Sequence, residues 1–497
     1  MIKRLSLLAL SCILYHYTVC FAQNPFLPLW EFVPDAEPYV FEDPDNPGRY
    51  RVYIYGSHDI LESEYCGRNQ VVWSAPVDTL TAWRYEGVSF TSGKDILYAP
   101  DVAMRYEAGR PVYYLYPNNQ TEGRRGQVAR SLRPAGPFEV INWNADSTAA
   151  EGILGFDPAV FVDDDGRAYA YWGFDEAWCA ELDTATMCTA IPGTIRKAHV
   201  PSRHDEGPFR FYEASSMRKI ADKYVFIYSR WSADGDNGLS PSNYTLAYAY
   251  GDAPLGPFTY GGTLIDGRAP ITLSDGRVIA AACPWGNTHG SIFALNESVY
   301  YLIYHRQTGT NEYSRQTMVA PLQVKVEQGK GGRVLIEQAE YTSEGFKTEG
   351  LNPYEPILAA WASAYYTPSG ERPFIRPSRD PDQPTELVSI TDSTVVGFKY
   401  IHTACMSRKG QFALTLRPYG EPFDVQVLLG ERPIAHLHYP PSDAVALAPS
   451  CLPLPICDVI VPFRAKKHAH KQPLTLIFTS PTHATRLCDM LSCRFMD

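Results

Sequence analysis

An aromatic-rich strand with alternating side chains recurs five times in the first two thirds of the chain. About twelve residues ahead of each copy, one polar side chain stands at the mouth of another apolar segment. The strands are RYRVYIYG at 49–56, VYYLY at 112–116, AYAYWG at 168–173, YVFIYS at 224–229 and VYYLIY at 299–304. Their polar forerunners are Glu37, Asp101, Asp157, Glu213 and His289. The offset is twelve from Asp101 to Tyr113, Asp157 to Tyr169, Glu213 to Val225 and His289 to Tyr301; from Glu37 to Tyr53 it is longer because of the insert at 43–48. Units of roughly sixty residues, each built from period-two strands, predict a β-propeller whose innermost strands line a central channel. Five units predict five blades, with one marked side chain from each brought to the axis.

Composition agrees with an all-β chain. The 33 Tyr, 22 Phe, 9 Trp and 40 Pro favour strands and turns, and helical periodicity is nearly absent. The propeller is expected over 24–345. A Pro- and Tyr-rich stretch, 346–384, reads as a linker, and alternating strands resume at 395–401, 412–417, 423–429 and 474–478. Their spacing predicts a C-terminal β-sandwich over 385–497.

The start of the chain has Lys3 and Arg4, an apolar run over 5–14, and Cys20-Phe21-Ala22 before Gln23. This fits a signal peptide over 1–22 and predicts an exported protein, periplasmic or extracellular, with no membrane span in the mature chain. Loss of Lys3 and Arg4 takes the net charge from -11 to -13, a balance that disfavours nucleic-acid partners. Eleven Cys, two of them within 1–22, leave nine. Cys179 lies near Cys188, and Cys451, Cys457, Cys488 and Cys493 crowd the C-terminus. An oxidising compartment allows disulfides there, and buried thiols are the other reading.

Four carboxyls and an imidazole in one cleft shift each other's proton affinity and mark a candidate catalytic site. Paired carboxyls suit glycosidic-bond hydrolysis, in which one donates a proton to the leaving oxygen and another activates water. Glu213, with Phe211, Tyr212 and Met217 beside it, is the expected acid.

The ordered set Asn24-Pro-Phe-Leu-Pro28, Ala36-Glu-Pro-Tyr-Val40, Tyr55-Gly-Ser-His-Asp59, Ala99-Pro-Asp-Val102, Phe156-Asp-Pro-Ala159, Tyr212-Glu-Ala-Ser-Ser216 and Asn287-Thr-His-Gly-Ser291 resembles glycoside hydrolase family 43. The resemblance implies an inverting, exo-acting enzyme that removes terminal α-L-arabinofuranosyl or β-D-xylosyl residues from plant polysaccharides or oligosaccharides. Carried over by position, Glu213 is the general acid and Asp157 tunes its pKa. The general base falls on Glu37, where the family pattern has Asp, with nearby Asp35 as the alternative. Arg315 resembles an arginine that contacts the sugar near the base.

No cofactor is required. The residue matching His289 implies a structural calcium ion held through water in the channel; a neutral, hydrogen-bonded His is the other reading. Trp73, Tyr98, Trp231 and Trp285 are candidate sugar-stacking rings, and Asp101 a candidate for a substrate hydroxyl. Two rival functions are open to such a chain. A sucrose- or fructan-type propeller hydrolase would carry Arg and Cys where this chain has Phe156 and Ala214, and a non-catalytic glycan-binding propeller draws support from the Glu at position 37.

Overall fold

The computed structural model describes residues 23–497 apart from 62, 234–235, 284–285, 370–371, 380–381, 441–454 and 467–469. The expected signal segment, Trp285 and Cys451 lie outside the described residues.

Five antiparallel sheets follow one another along the chain, each made of consecutive strands. Blade I comprises Glu37–Glu42, Tyr50–Ser57, Asn69–Pro76 and Arg84–Thr91. Blade II comprises Asp101–Glu107, Arg110–Tyr116, Ala129–Ser131 and Glu139–Val140. Blade III comprises Ala159–Val162, Ala168–Trp172, Trp178–Leu182 and Arg196–Lys197. Blade IV comprises Phe211–Ile220, Lys223–Arg230, Thr245–Gly251 and Thr259–Asp266. Blade V has three strands, Ser291–Asn296, Val299–Gln307 and Arg315–Leu322. The predicted aromatic strand is the second strand of every blade. It is buried on both faces over most of its length, because neighbouring blades cover it on each side.

The first strand of each blade is innermost, and contacts between these strands run from blade II through blades III and IV to blade V, which meets blade I. Polar side chains staple the blades together at the axis. The Tyr39 hydroxyl of blade I donates to Asp101 Oδ1 of blade II at 2.5 Å. Asp101 Oδ2 accepts the Val160 N–H of blade III at 2.6 Å, and Asp157 Oδ2 accepts the Ala214 N–H of blade IV at 2.9 Å. Ser216 and Ser291 share a hydrogen bond at 2.7 Å between blades IV and V. Buried groups of this kind must be paired or cost folding free energy, so these staples satisfy inner strand ends that no ladder covers. The leading segment lies along blade V, where the Asn24 side chain donates to Val319 O and accepts the Val319 N–H.

The stretch expected to be a linker, 346–384, instead contributes strands to the C-terminal sandwich. Ile357–Leu358 and Phe374–Arg376 belong to its six-stranded sheet and Ala364–Tyr366 to its five-stranded sheet. Their three-residue or shorter lengths carry too little alternation to be read as strands in sequence. The sandwich shares one apolar core with blades IV and V. Arg306 of blade V is wholly buried and donates to the carbonyls of Ala360 and Ala362. Among the described residues Cys66, Cys179, Cys188, Cys405, Cys457, Cys488 and Cys493 are free thiols.

Candidate active site

Depth along the axis sorts the marked side chains into two tiers. Asp35, Ala99, Asp157 and His289 each stand two residues ahead of their blade's inner strand, and all four line a pocket at the mouth of the channel. Glu213 joins them although it lies within its strand. Register shifts on both sides of Glu213 interrupt the pairing with Lys223–Arg230, and such bulges re-aim a side chain. Asp35, Asp157 and Ala214 hold φ of 57°, 49° and 62°, left-handed backbone that side chains other than glycine adopt at a cost. The turns that require it bring both Asp carboxyls to the pocket.

The first residues of the inner strands form the deeper tier, and two sequence expectations fall there. Glu37 is 1% exposed, does not line the pocket, and pairs with Arg218 at 2.7 Å. Asp101 is equally buried, held by Tyr39 and Val160 as described. Neither reaches the space a sugar could enter. The constant offset of twelve was misleading because hairpin length varies. Glu37 pairs with Tyr55 and Asp101 with Tyr116, whereas Ala159 pairs with Tyr171 and Ser291 with Ile303. Equal sequence offset therefore does not mean equal depth.

The three pocket carboxyls differ in proton affinity. Burial pushes the Asp35 carboxyl up, but Arg315, with His289 and the Ser57 hydroxyl, outweighs it and holds the group below the usual Asp value. Arg315 Nη1 lies 2.9 and 3.2 Å from its two oxygens, and Ser57 Oγ donates to Oδ2. The Asp35 N–H donates to His305 Nδ1 at 3.2 Å. His305 is neutral there, burial depressing its pKa to about 3.

Burial raises Asp157 to about 6, the Asp35 charge adding to the rise, against the pull of His289, the Ala214 N–H and the Asn118 amide, which donates at 2.8 Å. Glu213 rises to about 8 through burial and then the Asp157 charge, with His289 and the Asn243 amide opposing. Asn243 Nδ2 donates to Glu213 Oε1 at 3.0 Å. His289 rises to about 9 because nearby carboxylates, Glu37 first among them, outweigh burial. At neutral pH the site thus holds a carboxylate at Asp35 and a proton on Glu213.

Arg315 does not face the pocket. It is 0% exposed behind Asp35, with Asp59 on its other edge at 2.8 Å and the Tyr65 ring 4.0 Å from its guanidinium carbon. It pairs with Asp35 and is not among the residues that line the pocket, where the resemblance had implied a sugar contact. Trp73 is buried in the core of blade I against Tyr85. Tyr98 does line the pocket. Trp231 packs on Tyr212 at 5.2 Å, under the guanidinium of Arg203.

Sequence reasoning missed Asn118 and Asn243, which orient Asp157 and Glu213, and the rings Phe156 and Phe174. Phe156 and Tyr212 immediately precede the two acidic residues, a signal present in the sequence. From Tyr98 through Phe156, Phe174 and Tyr212 to Trp231, consecutive ring centroids are 4.9 to 5.5 Å apart, so the rings form one arc.

The implied calcium ion does not fit beside His289. The ring nitrogens there face Glu37 Oε1 at 3.5 Å and Asp157 Oδ2 at 3.8 Å, the other Glu37 oxygen is held by Arg218 at 2.7 Å, and among the described residues no three His, Cys, Asp or Glu side chains are grouped to hold a metal ion.

The chain is similar to several known proteins. The sequence model described as Glycosyl hydrolases family 43 matches residues 50–328. A xylosidase/arabinosidase of Thermoclostridium stercorarium is 32% identical over 424 residues, covering 76% of this chain and 82% of that protein. A xylosidase/arabinosidase of Bacteroides ovatus is 31% identical over 280 residues, 47% of this chain and 78% of the other. The solved structure of an arabinoxylan arabinofuranohydrolase from Bacillus subtilis aligns over 95% of this chain and 97% of its own, with 19% identity and a TM-score of 0.47. The matched family segment spans the blades that carry Asp157, Glu213 and His289, and the match to the first relative extends over most of both chains: the protein belongs to glycosyl hydrolases family 43 and is a glycoside hydrolase.

Proposed function

We propose that the protein is an exo-acting, inverting hydrolase that releases terminal α-L-arabinofuranosyl or β-D-xylosyl residues from plant oligosaccharides and polysaccharides. Glu213 donates its proton to the glycosidic oxygen as the bond from that oxygen to the anomeric carbon breaks. Asp35 takes a proton from a water as that water attacks the anomeric carbon from the other face. The net result is one water consumed, a free reducing sugar released, and a proton moved from Glu213 to Asp35 that solvent returns. Asp157 orients Glu213 and keeps its proton affinity high.

The observation that carries this reading is the opposed electrostatics of two carboxyls in one pocket, Glu213 raised to about 8 and Asp35 held low by Arg315. The pocket that holds both carboxyls is narrow, with a cavity volume of about 50 Å3. The two xylosidase/arabinosidase relatives supply the sugar classes. With Asp35 in the pocket, the Glu at position 37 no longer favours a non-catalytic glycan binder. Export to the periplasm or beyond rests on the basic start and apolar run at 1–22.

Turnover of 4-nitrophenyl α-L-arabinofuranoside, β-D-xyloside and β-D-galactofuranoside tests the assignment. Hydrolysis of one of the first two is expected, with the first-formed sugar of inverted configuration by NMR. Binding of oligosaccharides with no turnover of any substrate would overturn it.

The aromatic arc is the proposed platform for the sugar on the leaving side. Phe174 is 50% exposed beside Phe156 and Tyr212, a poor position for an apolar ring unless something covers it. Stacking of about 1 kcal/mol predicts that Phe174→Ala raises KM for an oligosaccharide about fivefold with little change in kcat. An unchanged KM removes Phe174 from the platform.

A further inference from the structure

Arg218, from the inner strand of blade IV, sends its guanidinium between the inner strands of blades I, IV and V. Nε donates to Ile292 O at 2.8 Å. Nη1 donates to Met217 O at 2.8 Å and to Ser216 Oγ at 3.1 Å, and Nη2 to Glu37 Oε2 at 2.7 Å and Pro38 O at 3.1 Å. The guanidinium carbon also lies 4.4 Å from the centroid of the Tyr39 ring, over its face.

Three backbone carbonyls, a hydroxyl and a carboxylate converging on one point are the hard oxygen donors a calcium ion takes. Here all are already occupied by a planar cation whose fixed fork of N–H groups matches them. We propose that Arg218 is a tethered cation that stands in for an axial metal ion, so that this hydrolase folds and works without a divalent cation.

The second side of the arrangement is His289. Glu37 is gripped through Oε2 by Arg218, while its Oε1 faces His289 Nε2 at 3.5 Å, and the same ring reaches Asp157 at 3.8 Å. Arg218 thereby fixes Glu37, whose free oxygen lies beside His289, and the His289 ring lies against the Asp157 carboxyl that orients Glu213. Arg218 is a positioning residue and touches no substrate. A divalent ion entering this level would meet the Arg218 guanidinium and compete with it for each oxygen.

Two measurements on the full-length wild type need no variant. After dialysis against EDTA, elemental analysis is expected to find far less than one calcium per chain. The melting temperature and kcat/KM are expected to be the same in EDTA as in added calcium chloride, since a ligand of the folded state would raise the melting temperature by mass action. One retained calcium per chain, or a melting temperature that falls in EDTA by several degrees and returns with calcium, overturns the proposal. The metal content and melting temperature do not depend on the glycosidase reading, so failure of that reading leaves these arms intact.

The kinetic arm rests on the proposed function. Arg218→Met is expected to lower kcat at least about tenfold with KM little changed and to displace the alkaline limb of the pH profile, because the position of His289 against Asp157 is lost. Arg218→Lys, which keeps the charge but not the fork, is expected to retain intermediate activity. A folded Arg218→Met enzyme with the wild-type pH profile and kcat overturns the positioning role. If the Met variant does not fold, the wild-type arms decide.

Discussion

Asp35→Asn is expected to lower kcat on 4-nitrophenyl α-L-arabinofuranoside, or on whichever glycoside proves to be the substrate, by about a thousandfold or more. The amide keeps the shape of the carboxyl and can still accept from Ser57, yet it cannot take a proton from water. Arg315 retains Asp59 as a buried partner at 2.8 Å, so the cation is not left unpaired and the variant is expected to fold. Because the base contributes only as the water attacks the anomeric carbon, the loss falls on kcat and KM changes little.

Glu37→Gln provides the contrast. It weakens the pairing with Arg218 and His289 below the pocket, so stability is expected to fall by about 3 kcal/mol, while kcat drops roughly tenfold or less. A collapse of kcat at Glu37→Gln with near-normal activity at Asp35→Asn would reverse the assignment. Steady-state kinetics beside thermal melts separates the two effects.

The second large effect is expected at Glu213→Gln, and it depends on the leaving group. Natural oligosaccharides leave as poor alkoxides and need the proton, so kcat/KM is expected to fall by about 10⁴-fold. 4-Nitrophenolate leaves with little help and should lose far less. The pH profile supplies an independent check. Glu213 keeps its proton up to about 8, and Asp35 stays ionised well into acid, so wild-type activity should decline as pH rises through about 8. That limb belongs to the coupled pair Asp157 and Glu213, and it should disappear in the Gln variant on the nitrophenyl substrate.

Stability follows the same proton. Glu213 has a folded-state pKa raised above its unfolded value. Its contribution to stability is therefore fully present below about pH 4.5 and is lost as pH rises through about 8. Gln has no charge to hold in the buried site, so Glu213→Gln should melt at a higher temperature than wild type at pH 9, with the gap narrowing toward pH 5. A gap that does not change with pH would mean that Glu213 titrates at the same pH folded and unfolded.

The sequence made the architecture legible because each blade repeats one strong signal. The second strands, such as Tyr50–Ser57 and Lys223–Arg230, are buried on both faces and so carry unbroken runs of Tyr, Phe, Val and Ile. Asp157, Glu213 and His289 were found because each stands at the edge of such a segment. Depth along the axis was not legible. Glu37 and Asp35 differ by two residues, and which of them meets the pocket depends on the turn at Asp35, with φ of 57°, and on hairpin length. The bulges that aim Glu213 likewise have no marker in the strand's composition.

Partners from distant blades were illegible for another reason. Arg315 acts on Asp35 from 280 positions away, and Arg218 on Glu37 from 181. No local pattern records such a contact. The short strands within 346–384 escaped because three residues do not establish a period.

The most direct test of Asp35 as the base is chemical rescue of Asp35→Ala with azide on the activated nitrophenyl substrate. Azide is already an anion, so it can attack the anomeric carbon without a base while 4-nitrophenolate departs. In the space left by the carboxyl it should restore turnover and give a glycosyl azide of inverted configuration, identified by NMR. Azide added to Glu37→Ala should form no such product. Rescue of Glu37→Ala with an unresponsive Asp35→Ala, or a rescued product of retained configuration, would contradict the account.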